Sequence, residues 1–167
     1  MAIQRNDSVV EKPLLLITSQ SVGEHFLNNY FYSMCGIAGV IGFAGGMMLR
    51  QTASDMVASI RYRGPDDLGV WCDESVGVGL SHARLSILDT SSAGHQPMVS
   101  ASGRYVITYN GEVFNFAELH KELEGQGACF RSHSDTEVML AAFEAWGLER
   151  ALQRFVGMFA FALWDRA

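Results

Sequence analysis

The sequence predicts an α+β fold of layered sheets with helices outside. Three observations point there. Strand-like runs are interrupted by helical ones, two of the β-rich runs flank a short charged turn like a hairpin, and the last apolar run reads as a strand covered on both faces. Composition agrees: 167 residues, 49% hydrophobic and 18% charged, suit one globular domain with a single core.

The elements follow in order. Residues 1–33 have no clean period; polar "MAIQRNDSVVEK", the brief "PLLLIT" and "SQSVGEHFLNNYFYS" read as an extension, expected to be disordered or not part of the mature protein. "GIAGVIG" from Gly36 is a buried strand closed by the "GFAGG" turn signal. Leu49, Ala53, Met56, Val57 and Ile60 recur at helical spacing and predict an amphipathic helix that stops before "RGPDDLG", where Gly64 and Pro65 break the pattern. "LGVWC" and "VGVGLSHARLSIL" are strands about the "DES" turn, and "RYVITY" is a strand expected to end at "NGE". Two helices come next. One spans about 116–124 with Asn115 as N-cap; the other opens with Ser134 and Glu137 in capping-box spacing and buries Met139, Ala142, Phe143 and Trp146. "MFAFALW" closes the chain as a central strand, and a strand so buried is expected to have further chain after it.

Several function classes fall away. A net charge of −6 without an Arg/Lys stripe disfavours nucleic acid as a partner. Cys35, Cys72 and Cys129 lie far apart with no CxxC spacing, which suggests neither a zinc site nor a disulfide framework and fits a reduced, cytoplasmic setting. No apolar run approaches the ~20 residues that span a bilayer, so no membrane partner is expected.

The chemistry centres on "YSMCGIAGVIG". A cysteine nucleophile works as thiolate and needs a base. The sequence sets none of His82, His95, His120 and His133 beside Cys35. A cysteine at position 1 has another base, its own α-amine, whose ordinary pKa is about 7.7–8.0. Met34 is a ready-made initiator whose removal would create that state. The plain alternative is a small buried hydrophobe at a strand start.

"MCGIAGVIG", "RYRGPDDLGVW", "SHARLSILDTSSAGHQPM", "YNGEVFNFAEL", "SHSDTEV" and "FVGMFAFALWD", in that order, resemble the N-terminal glutaminase domain of glutamine-hydrolysing asparagine synthetases, a class II glutamine amidotransferase. The resemblance covers residues 34–167 and implies an N-terminal nucleophile hydrolase fold, a four-layer αββα sandwich of antiparallel sheets, here incomplete at the C-terminus. It implies that Cys35 attacks the side-chain amide of glutamine, with Asn110 and Gly111 stabilising the oxyanion. Arg84 takes the α-carboxylate and Asp135 the α-ammonium, helped by Glu112, while Leu85 and Ile87 line the pocket. Each has a plainer alternative: "NG" as a hairpin turn, Arg84 as a surface residue, Asp135 as a charge in a helix's first turn. Arg63, Asp66 and Asp67 read as structural, and the remaining cysteines and histidines as bystanders; His82, two residues before Arg84, is the one placed to orient its loop.

Two departures from the resemblance matter. With residues 1–33 retained, Cys35 carries an amide in place of a free amine. Translation from Met34, cleavage of a propeptide, or a non-catalytic domain that binds glutamine or a subunit would each account for it, and the first is the expectation. The second departure is the synthetase domain, which is expected to follow and to bring ATP and Mg²⁺; no Gly-rich pyrophosphate loop occurs in this sequence, so no cofactor is expected for this chain. The expected partners are L-glutamine and a synthetase domain or subunit, with a homodimer as a further candidate. An exposed sheet edge at the end of the chain predicts self-association.

Overall fold

In the computed structural model, which describes residues 2–4, 14–19, 35–42, 46–86 and 94–167, the β-rich runs pair into two antiparallel sheets. The smaller contains β3 (Gly36–Ile41), β4 (Asp67–Asp73) and β5 (Val78–Arg84) in the order β3-β5-β4. The larger contains β1 (Ala2–Gln4), β2 (Leu14–Ser19), β6 (Met98–Val99), β7 (Tyr105–Val113) and β8 (Gly157–Asp165) in the order β1-β2-β8-β7-β6. Helix α1 (Gly46–Ser59) covers the smaller sheet, touching all of its strands. Helix α3 (Asp135–Trp146) packs on β7 and β6, flanked by α2 (Phe116–Gly125) and α4 (Leu148–Arg154). The layers are therefore helix, sheet, sheet, helix, as expected.

Strand period two explains this layering. Tyr105, Ile107, Tyr109 and Val113 of β7 join Phe159, Phe161 and Leu163 of β8 in the core beneath α2, α3 and α4. The intervening Val106, with Ala162 and Trp164, meets Val78 and Leu80 of β5 between the sheets. On the same face Thr108 Oγ1 donates to Ser81 O of β5 at 3.1 Å, so a buried hydroxyl ties sheet to sheet. Phe143, Phe161 and Trp164 are almost fully buried, each worth about 1.5–3 kcal/mol of transfer free energy.

The amphipathic helix runs where its stripe predicts, with Leu49, Ala53 and Val57 buried and Met56 and Ile60 half-buried. The predicted hairpin is β4–β5, although β5 stops at Arg84. "MFAFALW" is a central strand, between β2 and β7, with Phe161, Ala162, Leu163 and Trp164 buried.

Other expectations are corrected. β7 does not end at "NGE" but continues through Asn110, Gly111 and Glu112 to Val113, paired with β8 throughout. The "NG" pair is thus strand and not a hairpin turn, because β8 supplies a partner that the local sequence does not reveal. Asn115 precedes α2 without capping it by side chain: its Nδ2 donates to Arg154 O at 2.9 Å and its Oδ1 accepts from Val156 N–H at 3.0 Å. Ser134 caps α3 through Thr136 N–H, while Glu137 reaches past it to the N–H of Ser132 at 2.8 Å, so the box closes around a longer loop. Trp146 is only half-buried, under the guanidinium of Arg154 at 3.9 Å. β6 and α4 are elements that the periodicity did not reveal.

Within the segment set apart as an extension, Ala2–Gln4 and Leu14–Ser19 are strands where disorder was the expectation; the rest of residues 1–33 lies outside the described residues. β2 runs antiparallel along β8 from Leu14 opposite Trp164 to Ser19 opposite Phe159, occupying the edge expected to be bare. No described helix is long and apolar enough to cross a membrane. Deleting residues 1–20 uncovers this edge of β8, and size-exclusion chromatography with light scattering should then show concentration-dependent association absent from the full chain. A monomeric deletion variant would contradict that expectation.

Candidate active site

Cys35 stands immediately before β3, and the sheet register sets Gly36 opposite Ala83, so the nucleophile candidate meets the far end of β5. There Leu85 N–H donates to Cys35 Sγ at 3.3 Å, and Sγ faces Leu85 O at 3.6 Å. Arg63 Nε donates to the Cys35 carbonyl at 3.2 Å, fixing the main chain of the same residue. Arg63, read from sequence as structural, thus acts on the nucleophile's backbone. Asp66 binds the other side of this corner: its N–H donates to Arg84 O at 3.0 Å and its Oδ2 accepts from Ser86 N–H at 2.7 Å.

Burial pushes the Cys35 thiol above its ordinary range, more than the Leu85 main chain and the charge of Arg84 pull it down; Asp135 adds to the rise. A thiol so placed is protonated at neutral pH and needs a base. Among the described residues the hydrogen-bond partners of Sγ are main-chain groups, of Leu85 and of Cys35 itself. His82 does not serve, since its Nε2 is engaged at 3.0 Å with Tyr109 O and burial lowers its pKa to about 4.

Arg84 is buried at the end of β5, its guanidinium against Gly94, where a Cβ would stand 2.2 Å from Nη2. Glycine at 94 is what lets the cation lie there. Asp135, the first residue of α3, is also buried; its Oδ2 accepts from Tyr109 Oη at 2.6 Å and from Val113 N–H at 3.0 Å. Burial raises the Asp135 pKa against these bonds, and burial together with Asp135 raises that of Tyr109. The phenol therefore remains a donor.

Asn110 and Gly111 lie half-buried in β7, opposite Ala160 and Phe159. Tyr109 N–H goes to Gln96 Oε1 at 2.7 Å and Val113 N–H to Asp135, both away from β8. Strand period two sets the intervening Gly111 N–H on that same open edge. Asn110 shares a face with Thr108, which points toward β5. Gly111 has φ 147°, and a Cβ there would be 2.2 Å from Met158 O. Position 111 thus excludes every other residue. Glu112 is exposed at the adjoining position, and Ile87 lies outside the described residues.

The structure sets Cys35, Arg84 and Leu85 at the adjoining ends of β3 and β5, Asn110 and Gly111 in β7, and Asp135 at the start of α3, bonded to β7. Sequence reasoning missed Tyr109 and Gln96. Tyr109 had one legible signal, its place beside Asn110 in "TYNGE"; Gln96 had none, since its partner lies across a sheet edge. A surface groove lined by Val99, Cys129, Arg131 and Glu144 contains none of these residues. No cluster of three potential metal ligands occurs among the described residues.

Two antiparallel sheets lie between helical layers, the fold the resemblance implied, with Cys35 immediately before β3. The chain belongs to the family described as "Glutamine amidotransferase domain", whose model matches residues 34–167. It is 40% identical to asparagine synthetase [glutamine-hydrolyzing] 3 of Bacillus subtilis, over 79% of this chain and 21% of that protein. It is 38% identical to asparagine synthetase B [glutamine-hydrolyzing] of Escherichia coli, over 79% of this chain and 23% of that one. The chain thus spans about a fifth of the length of these relatives and is homologous to their glutaminase part. The fold is similar to glutamine phosphoribosylpyrophosphate amidotransferase from B. subtilis, with a TM-score of 0.62 at 20% identity, covering 79% of this chain and 35% of that one.

Substituting Gly111→Ala should cost at least about 2 kcal/mol in urea unfolding, because a Cβ meets main chain and φ is left-handed. His82 predicts an acid limb. Its folded pKa of about 4 lies below the ordinary 6.5, so stability is complete above pH 6.5, falls as the unfolded chain takes up the proton, and levels off below about 4. The loss should approach about 3 kcal/mol and be absent from His82→Gln when unfolding is compared across that range.

Proposed function

We propose that this chain is the glutaminase part of a glutamine-dependent asparagine synthetase, releasing ammonia from glutamine through a cysteinyl thioester. The observation that carries the reading is a half-buried, protonated thiol whose hydrogen-bond partners among the described residues are main-chain atoms, held beside Arg84 and within the field of Asp135. Such a thiol needs a base from outside its side-chain surroundings, and the α-amine of Cys35 itself is the nearest one.

With Met34 removed, that amine takes the thiol proton, directly or through a water. Sγ attacks the δ-carbon of glutamine, and the carbonyl oxygen becomes an oxyanion facing Asn110 Nδ2 and Gly111 N–H. As the C–N bond breaks, the ammonium returns its proton to the leaving group and ammonia departs. Water, deprotonated by the same amine, then attacks the thioester; a second oxyanion forms, Sγ leaves, and glutamate is released. Arg84 grips the α-carboxylate as a fork of donors. Asp135, oriented by Tyr109 and Val113 through one oxygen, offers the other to the α-ammonium, and Glu112 adds negative charge at the rim. Leu85 completes the wall.

The ammonia serves amidation of aspartate by a synthetase domain or subunit, which also brings ATP and Mg²⁺. The chain by itself uses neither. A cytoplasmic location belongs to this reading, since a thiol nucleophile needs a reducing compartment. A second reading, a non-catalytic domain that binds glutamine or a partner subunit, has its support in residues 1–34, which block the amine wherever they are retained.

Intact mass of untagged protein from its own host, paired with glutamate release, separates the two. A chain starting at Cys35 that hydrolyses glutamine, and a folded Cys35→Ala variant that releases none, are the expected results. Retained residues 1–34 with glutamine bound and not turned over would favour the second reading. Purified chain should show no glutamine-stimulated ATP hydrolysis; turnover of ATP would contradict the assignment of ATP to the synthetase part.

A further inference from the structure

At Tyr109 the outer edge of β7 has no strand beside it among the described residues, and side chains complete it. β6 pairs only as far as Ile107, so the outward N–H and C=O of Tyr109 meet Gln96 Oε1 at 2.7 Å and His82 Nε2 at 3.0 Å. A carbonyl only accepts, so His82 must carry its proton on Nε2. Burial keeps the ring neutral, with the pKa pushed down to about 4. The same donor is therefore present throughout the neutral range.

Both members of this clasp are themselves held. His82 lies in β5 between Ile37 of β3 and Gly69 of β4. Gln96 Nε2 donates to Thr136 Oγ1 at 3.2 Å, in the first turn of α3 beside Asp135. Glycine at 69 admits it, since a Cβ there would fall 1.7 Å from Gln96 O. The carbonyl that His82 holds belongs to the peptide joining Tyr109 to Asn110. Fixing that plane fixes the direction of the Asn110 side chain and, one peptide further, of the Gly111 N–H.

We propose that His82 is a positioning residue for amide hydrolysis at this site: its Nε2–H holds the Tyr109–Asn110 peptide, and Gln96 holds the peptide before it, so that both oxyanion donors stay aimed. The inference rests on the glutaminase reading above. Donors that must already point at a developing charge gain most from such outer support. A plain packing histidine would join the two sheets equally well, and the variants below distinguish the two.

The comparison is of the full parental chain with His82→Gln, which keeps a donor, and with His82→Leu and Gln96→Met, which each remove half of the clasp. Amide exchange read by NMR needs no turnover. Gly111 N–H should exchange about tenfold faster or more in His82→Leu and Gln96→Met, and near the parental rate in His82→Gln. Unchanged exchange at Gly111 in a folded His82→Leu overturns the inference. On protein with Cys35 free, kcat for glutamine should fall about 10- to 100-fold in His82→Leu with KM within about twofold, and His82→Gln should restore most of it. Equal kcat losses in the Leu and Gln variants, or a loss carried by KM, assign His82 to packing and overturn the proposal. If His82→Leu fails to fold, Gln96→Met decides by the same readouts. A parent that hydrolyses no glutamine overturns the glutaminase reading, and the exchange at Gly111 still decides the clasp.

Discussion

The site depends on β7 remaining a strand through Asn110 and Gly111. Its inner edge is carried by β8, which pairs with it from Tyr105 to Val113. Its outer edge is carried first by β6, then by Gln96 and His82 at Tyr109, and then by Asp135 at Val113. Backbone polar groups left unpaired in the interior are costly, so each side chain that meets one is fixed in return. Asp135 gains its orientation in this way: the bonds that complete the strand also aim the carboxylate. The Gly111 N–H stands between two satisfied positions on the same open edge.

Burial sets the electrostatic character of the centre. It raises the thiol of Cys35, the phenol of Tyr109 and the carboxyl of Asp135 together, and lowers His82. Each shift favours the neutral form, as expected where water is excluded. Arg84 opposes the rise at Cys35, so the nearby cation eases thiolate formation. A thiol held this way stays protonated at neutral pH until a base reaches it.

Two demands on the N-terminal segment conflict. A free amine on Cys35 requires that the chain ahead of it be gone, while β2, drawn from that chain, covers the edge of β8. Left uncovered, that edge would present a row of backbone N–H and C=O groups open to pairing.

Much was legible in the sequence because period and capping are local. The α1 stripe, the β4–β5 hairpin, the α3 start and the buried strand at β8 follow from spacings of two or three and four residues, and the ordered motifs pointed to Cys35, Arg84, Asn110 and Asp135. What misled was equally local: "NG" signals a turn, and Asn115 and Glu137 signal simple caps. Only the tertiary structure decided that β8 lies beside "NG" and keeps it extended, that Asn115 bonds to the 154–156 segment, and that His82 and Gln96 meet the main chain of Tyr109. The physical reason is that hydrogen bonds between sheet edges and side chains distant in sequence leave no periodic trace in the chain, whereas helix faces and strand alternation do.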